Sequence, residues 1–423
     1  MLLTNSQIFI KLKQGFTPDI TGLPSRRYDL DWLRVLAFGL LILFHSGMFY
    51  VEHWGFHAKS QYRSETLESV MLLIQPWRMI ILWFIAGIAV KFIMAKVTVA
   101  RFVYQRSIRI LIPLLFGILV VVPPQLYVEM TQNNDLSMSY WQFMLEFYSP
   151  DTQIFSQYTA GIWPHIDVNH LWFLRSLWKY SLIILVLMPL LNAVWITRLT
   201  NWLMQQHVTL IVLILTAPLF TFQLTLADDE TRYAIGFTCM IYGYLIGWHP
   251  LLWQRVAALR KTLLIALLVC AIIVISFYNL VWLQPESKPE WLSVSGLLIY
   301  NMMRIVGVFC AFGFAHHYLN KPSSVLRYFN DAVYPFYIIH QTLIIVIGYQ
   351  LTALSLGPVL EPVLLVVLTI VGCFGLFELI RRVDLLRFVF GLKMQKHYSK
   401  SLTIVGQLLS VMAMLVIGLE IIF

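Results

Sequence analysis

The chain has 423 residues, of which 59% are hydrophobic and only 12% charged, with a mean hydropathy of +0.75. A soluble domain is nearer half apolar and a quarter charged, so this composition excludes one and calls for a polytopic membrane protein. The formal net charge of +9 is not a nucleic-acid signature, because the basic residues flank apolar runs along the whole sequence.

Those runs are roughly 18 to 25 residues long, each enough to cross about 30 Å of hydrocarbon. They predict an all-α protein with eleven spans, near 31–51, 70–93, 108–127, 172–195, 207–226, 235–253, 262–283, 293–317, 331–351, 359–380 and 402–423. Connections are mostly short, which favours one helical domain over 31–396. An N-terminal segment, 1–30, precedes it, and a C-terminal segment, 397–423, carries the extra span. The first thirty residues lack a basic stretch followed by an apolar core, so the first span is expected to remain as an anchor.

With the N-terminus in the cytoplasm, 22 of the 30 Lys and Arg fall on the cytoplasmic side or at its boundary. The third connection, 128–171, then lies outside and carries Glu129, Asp135, Glu146, Asp151 and Asp167 without any Lys or Arg. This asymmetry follows the positive-inside rule and orients the chain, with a cell inner (plasma) membrane as the expected location. Cys239, Cys270, Cys310 and Cys373 all lie in spans without metal-type spacing, so they are expected to pack as core and no metal is expected.

In chain order, the first residue to carry chemistry is His45, inside the first span. An ionisable group at that depth is costly unless it faces a protein interior or a wet cavity. Arg34 precedes it by eleven residues, which on a helix is about 16 Å along the axis and nearly the same face. Imidazole titrates near working pH, so His45 is a candidate general base toward a hydroxyl. Arg106 and Arg109 stand three apart at the expected entry to the third span, where their guanidiniums share a face and suit phosphate groups. A positive-inside anchor would use the same residues.

The 128–171 segment interleaves its acids with Tyr140, Trp141, Phe143, Phe147, Tyr148, Phe155, Tyr158 and Trp163, and is broken by Pro150 and Pro164. Long ordered connections often carry function. Aromatic faces beside acids and amides suit sugar rings, which makes Trp141, Tyr158, Trp163, His170 and Trp172 candidates for acceptor binding. A membrane-interface aromatic belt is the competing reading. Arg78, Arg175, Arg304 and His340 come from different spans at comparable depth and suggest a shared polar cavity. Arg78 and Arg175 are also placed to snorkel to headgroups. Glu378 is expected to pair with Arg381 or Arg382.

Together these residues resemble a known family. Asp31-x-x-Arg34 with His45 beyond it, Arg106-x-x-Arg109, His170-Leu171-Trp172-Phe173-Leu174 and Tyr337-x-x-His340 resemble membrane acyltransferase family 3. Trp77-Arg78-Met79, Phe377-Glu378-Leu379-Ile380-Arg381-Arg382 and Phe390-Gly391-Leu392-Lys393 look like its glucan-succinylating branch, the glucan biosynthesis protein C group. The resemblance runs from about 27 to 396. Three departures stand out: Ala86-Gly87 where the family often reads Ser-Gly, no fused esterase-like domain, and the additional span 402–423, which would put Phe423 outside.

The resemblance implies transfer of an acyl group from cytoplasmic acyl-CoA to a hydroxyl of an extracytoplasmic glycan. It assigns function to Arg34, His45, Arg106 and Arg109. The arginines would hold the donor's phosphates, and His45 would act as base or through a transient acyl-imidazole. The co-substrate would be succinyl-CoA or acetyl-CoA, with no bound cofactor; a succinyl donor also needs a cation for its distal carboxylate, for which Arg78 and Arg304 are the candidates. Expected partners are the lipid bilayer, the glycan and glucan-synthesis proteins. Two other classes stay open: a transporter of an anionic solute, although no repeat symmetry is seen, and a non-catalytic scaffold in an envelope-polymer complex.

Overall fold

In hydrocarbon every backbone N–H and C=O must be satisfied within the segment, so long apolar runs fold as helices. A computed structural model of the chain describes residues 26–149, 151–158, 166–284 and 288–394, with isolated positions at 16, 18, 401, 404, 405 and 408. The described fold is all-α: α1 (Tyr28–Met48), α2 (Glu65–Met71), α3 (Gln75–Met94), α4 (Val99–Phe116), α5 (Pro123–Gln132), α6 (Tyr140–Phe147), α7 (Trp172–Leu191), α8 (Val194–Gln205), α9 (Val208–Thr225), α10 (Asp228–Ile246), α11 (Pro250–Ala258), α12 (Arg260–Phe277), α13 (Glu290–Tyr318), α14 (Ser324–Thr352), α15 (Leu360–Ile380) and α16 (Asp384–Val389).

Among the described residues, nine helical segments are long and apolar enough to cross a membrane. A tenth candidate is α10 with α11, bent by 105° at their junction. These ten match the first ten expected spans, and two details differ. The sixth is not one straight rod, because Pro250 starts a new helix just past Gly247. The third begins at Val99 rather than near 108, so Arg106 and Arg109 sit two to three turns inside α4 instead of at its mouth. The expected span 402–423 lies outside the described residues apart from positions 404, 405 and 408, as do most of 1–25 and Pro150, Trp163 and Pro164.

The described chain divides into two compact units, each assembled from separated segments. The first comprises Met1–Leu40, Glu68–Phe102 and Lys179–Leu326. Its tightest crossing is α3 on α10, where Gly87 meets the Met240 carbonyl and Gly243 the Phe84 carbonyl. A Cβ at either glycine would overlap backbone, so small residues here let two helices approach closely enough to pack without a hydrophobic drive. Gly87 of the Ala86-Gly87 pair is thereby a packing residue. Trp248 Nε1 donates to Ile88 O at 2.9 Å and fastens the bend after α10 to α3.

A buried ionic cluster anchors the start of α1 in the same unit. Asp29 is fully buried and accepts from Arg27 Nε at 2.8 Å, Arg27 Nη2 at 2.6 Å and His316 Nδ1 at 2.7 Å. The Arg27 guanidinium stacks 3.7 Å above the Trp253 ring, which itself packs on Phe312 and His316. With the Leu30 N–H, which donates to Oδ1 at 3.0 Å, four hydrogen bonds make burial of this carboxylate tolerable.

The second unit comprises Leu41–Leu67, Val103–Trp178 and Arg327–Phe423. Here α4 runs through a π-helical turn, Gly117–Val121, into α5. Pro123 and Pro124 carry no N–H, so carbonyls of that turn lose their intrahelical donors. At Leu119 O a side chain replaces the lost donor, Tyr148 Oη donating at 2.6 Å; the Gln125 N–H bonds to Val122 O at 2.8 Å, and Thr342 Oγ1 donates to Val121 O at 2.6 Å. α6 starts with a capping box between Ser139 and Gln142. Its Phe143 and Phe147 bury with Phe155, Leu126 and Met130, so these three aromatics are core rather than open stacking surface. All four cysteines are buried free thiols, as their apolar settings imply. Glu378 pairs with Arg381 at 3.3 Å and Arg382 at 3.1 Å, and Tyr328 Oη donates to it at 2.9 Å.

Candidate active site

His45 enters the second unit on the last turn of α1, three turns beyond Arg34 on the same continuous helix. Its Nδ1 lies 2.9 Å from Nε2 of His340, a residue 295 positions away and fully buried at the middle of α14. The two rings are nearly parallel, 8° apart, with centroids 5.1 Å apart. His340 Nδ1 in turn faces two carbonyls of its own helix, Tyr337 O at 2.8 Å and Phe336 O at 3.1 Å.

A third histidine closes on this pair. His170 is buried, its ring centroid 5.6 Å from that of His340. Asn169 adopts a left-handed backbone (φ 46°), a conformation asparagine tolerates, and its N–H bonds to Asp167 Oδ2 at 3.0 Å. This turn presents His170 to α14, where its Nε2 donates to Ile338 O at 3.0 Å and Tyr337 Oη donates to His170 O at 2.5 Å. With Nε2 carrying the hydrogen, Nδ1 accepts from Gln125 Nε2 at 3.2 Å.

The network continues through amides. Gln125 also donates to Thr342 Oγ1 at 2.7 Å, and its Oε1 accepts from Gln341 Nε2 at 3.1 Å. Gln341 bonds to Asn169 Oδ1 at 2.9 Å, and the same oxygen accepts from the His170 N–H at 2.6 Å and from His57 Nε2 at 3.1 Å. His57 Nδ1 meets Glu129 Oε2 at 2.5 Å. A continuous set of hydrogen bonds therefore runs from the half-buried Glu129 inward to the wall formed by His170.

The segment after α1 folds back over His45. The Phe56 ring centroid lies 6.5 Å from that of His45, and Trp54 stacks on Phe44 at 6.1 Å. Lys59 exchanges two backbone bonds with the Gln132 amide, at 3.0 and 2.8 Å, and Ser60 Oγ donates to the buried Glu361 at 2.6 Å.

Arg106 is half-buried and Arg109 exposed on α4, with Ser107 between them buried and accepting from Trp178 Nε1 at 3.0 Å. Tyr334 Oη donates to Arg109 O at 3.0 Å. Gly391, at φ 69°, packs on the same carbonyl and on Tyr334, and Phe390 packs edge-on to Phe116. The Phe390-Gly391 turn thus braces the Arg-x-x-Arg helix.

A family model described as an acyltransferase domain matches residues 27–378, from the turn before α1 almost to the end of α15. The chain belongs to acyltransferase family 3. No curated protein and no solved structure matches it. The family makes acyl transfer the class of chemistry of this chain.

Within this family member the structure brings His45, His340 and His170 together and keeps them in one unit with Arg106, Arg109, Arg175, Trp172, Trp141 and Tyr158. His170 belongs to the buried network, whereas Trp141, 77% exposed, is at the surface. Tyr158 bonds to Asp135 and Asn133. Its hydroxyl is raised above the usual tyrosine range by burial and by that carboxylate. Arg175 and Trp172 are half-buried in the first turn of α7. Arg34, Arg78 and Arg304 belong to the first unit, where Arg304 donates to Asn301 and lies 4.8 Å from the Tyr300 ring, within electrostatic range of Arg78 too. Among the described residues no group of three or more His, Cys, Asp or Glu is arranged to hold a metal ion.

Sequence alone does not single out His57, Gln125, Asn169 or Gln341. A buried glutamine or asparagine is one polar residue among many until its partners are known. The one available signal was His57 in a short connection next to Trp54 and Phe56.

Proposed function

We propose that this protein is an O-acyltransferase that moves an acyl group from cytoplasmic acyl-CoA to a hydroxyl of an extracytoplasmic glycan, with succinyl transfer to a glucan as the sharpest form. The observation that carries this reading is the His45–His340 pair, an imidazole held at a fixed orientation by a fully buried partner. A histidine so held suits general-base work on a hydroxyl.

Arg106 and Arg109, with Arg34 as the resemblance implies, supply cations for the donor's phosphates. The charge asymmetry supports a cytoplasmic N-terminus, an orientation that would give these arginines access to a cytoplasmic donor. A succinyl donor also needs a cation at its distal carboxylate, for which Arg78 or Arg304 is the candidate. Acetyl transfer to another surface polysaccharide needs no such cation. Exposed Trp141, with Tyr158 and its acidic neighbour Asp135, suits a sugar face on the external segment.

The test is mass spectrometry of extracytoplasmic glycans from cells carrying wild-type protein or His45→Ala. Loss of a succinyl-sized increment in the variant is the expected result. Loss of an acetyl-sized increment keeps the enzyme class and changes the donor. Identical spectra overturn glycan acylation and favour an anion transporter or an envelope scaffold.

A further inference from the structure

The hydrogen bonds around His340 fix more than its position. Its Nδ1 faces only acceptors, the carbonyls of Tyr337 at 2.8 Å and Phe336 at 3.1 Å. Carbonyl oxygens cannot donate, so Nδ1 carries the hydrogen. In a neutral imidazole the other nitrogen is then an acceptor, and His340 Nε2 presents its lone pair to His45 Nδ1 at 2.9 Å. The near-parallel rings, 8° apart, suit an N–H···N bond lying close to both ring planes. A second proton would put a charge on a fully buried ring whose partners are two carbonyls and an imidazole, with no carboxylate among them, so His340 is the neutral form. His45 Nδ1 therefore donates, and the lone pair of neutral His45 is on Nε2.

We infer that His340 is a positioning residue that locks His45 in the Nδ1–H tautomer, so that Nε2 is the nitrogen that receives the acceptor's proton. The catalytic half of this inference rests on the proposed acyl transfer; the tautomer itself does not. As the acceptor hydroxyl oxygen attacks the thioester carbonyl, a C–O bond forms and the hydroxyl proton passes to Nε2. The C–S bond then breaks with its electron pair going to sulfur, and the proton on Nε2 passes to that thiolate, giving the ester and a free thiol. Throughout, the Nδ1–H stays on His340 Nε2 and strengthens as His45 becomes cationic. The opposite tautomer would point an N–H at the incoming hydroxyl and leave no base.

Two measurements on the full-length protein in lipid nanodiscs test this. The first is nitrogen NMR of the 15N-histidine-labelled protein, with the His45 signals identified by their loss in His45→Ala. The expected spectrum has the His45 hydrogen on Nδ1, moving toward the Nε2–H form in His340→Ala. Hydrogen on Nε2 in the wild type, or a tautomer unchanged in His340→Ala, overturns the inference. The second is thiol release from acetyl-CoA and succinyl-CoA. His340→Ala is expected to lower kcat tenfold or more with the donor KM within twofold, and His340→Gln, whose amide oxygen can accept at the Nε2 position, to recover part of it. Equal losses in the folded Ala and Gln variants overturn the positioning role. Absence of thiol release by the wild type, with the expected spectrum, overturns acyl transfer and leaves the tautomer standing. If neither variant folds, the wild-type spectrum alone decides the tautomer.

Discussion

Glu129 Oε2 and His57 Nδ1 lie 2.5 Å apart and join α5 to the segment that folds back over His45. His57 Nε2 faces Asn169 Oδ1, an oxygen already identified as an acceptor by the His170 N–H. His57 Nε2 therefore donates to that oxygen. The pair is a clasp on the segment from Val51 to Ser64, with Lys59–Gln132 and Ser60–Glu361 as its companions.

Glu129→Gln should loosen that clasp without unfolding the protein. Both side chains are about a quarter exposed, 25% and 27%, so solvent screening reduces what the charge contributes. The expected outcome is a fall in apparent Tm of about 1–4 °C, with faster amide hydrogen exchange confined to 51–64. Unchanged exchange there would show that the Lys59 and Ser60 contacts suffice.

The Asp29 cluster should behave differently because it is dry. Asp29 is fully buried and Arg27 nearly so, and removing one partner of a buried pair costs about 3–5 kcal/mol. Asp29→Ala should therefore lower the yield of folded protein in detergent and its Tm far more than Glu129→Gln does. Replacing both partners, Arg27→Met with Asp29→Leu, should restore part of the loss, because no unpaired charge then remains between them. A double variant as unstable as Asp29→Ala would mean that His316 and the Trp253 stack dominate.

The apolar spans were legible because a membrane allows so few solutions: length and hydropathy located ten of them to within several residues, except where α4 and α14 extend further than their apolar cores. Polar first turns such as Ser324–Asn330 lack hydropathy, yet they continue a helix whose buried part starts later. The sixth span read as straight because Gly247 and Pro250 can either kink or break a helix, and only packing against α3 decides. At the candidate site, the residue types were visible and their pairing was not. His45 and His340 are 295 positions apart, and no spacing rule connects them. The aromatic segment 128–171 shows the converse problem, since Phe143 and Trp141 look alike in sequence while one is fully buried and the other 77% exposed.

Gly87 offers a controlled comparison with Gly39. A Cβ at Gly87 would overlap the Met240 carbonyl, whereas a Cβ at Gly39 meets nothing within 4 Å. Backbone cannot move aside as a side chain can, so Gly87→Ala must push α3 away from α10 and disturb every contact along that crossing. We expect Gly87→Ala to abolish a monodisperse folded peak in fluorescence-detected size exclusion. Gly39→Ala should be neutral or mildly stabilising, by up to about 1 kcal/mol from helix propensity. Equal behaviour of the two variants would contradict the close crossing.

The turn at Gly391 links a structural requirement to the proposed donor site. Its φ of 69° disfavours alanine, and a Cβ there would lie 2.7 Å from Tyr334 Cε1 and 2.9 Å from Arg109 O. Alanine at 391 must therefore shift either Tyr334, whose hydroxyl holds Arg109 O, or the Arg109 backbone itself. If Arg106 and Arg109 bind the donor's phosphates, removing both guanidiniums should raise the donor KM by tenfold or more, since a hydrogen bond to a charged group contributes about 1.5–3 kcal/mol, and should leave acceptor affinity unchanged. Gly391→Ala should reproduce a weaker version of the same effect, raising the donor KM a few-fold together with a drop in Tm. Donor and acceptor KM values measured in parallel on nanodisc-embedded protein separate the outcomes. A change in acceptor KM alone would move the donor site away from α4, and a drop in Tm with an unchanged donor KM would reduce the Gly391 turn to a purely structural brace.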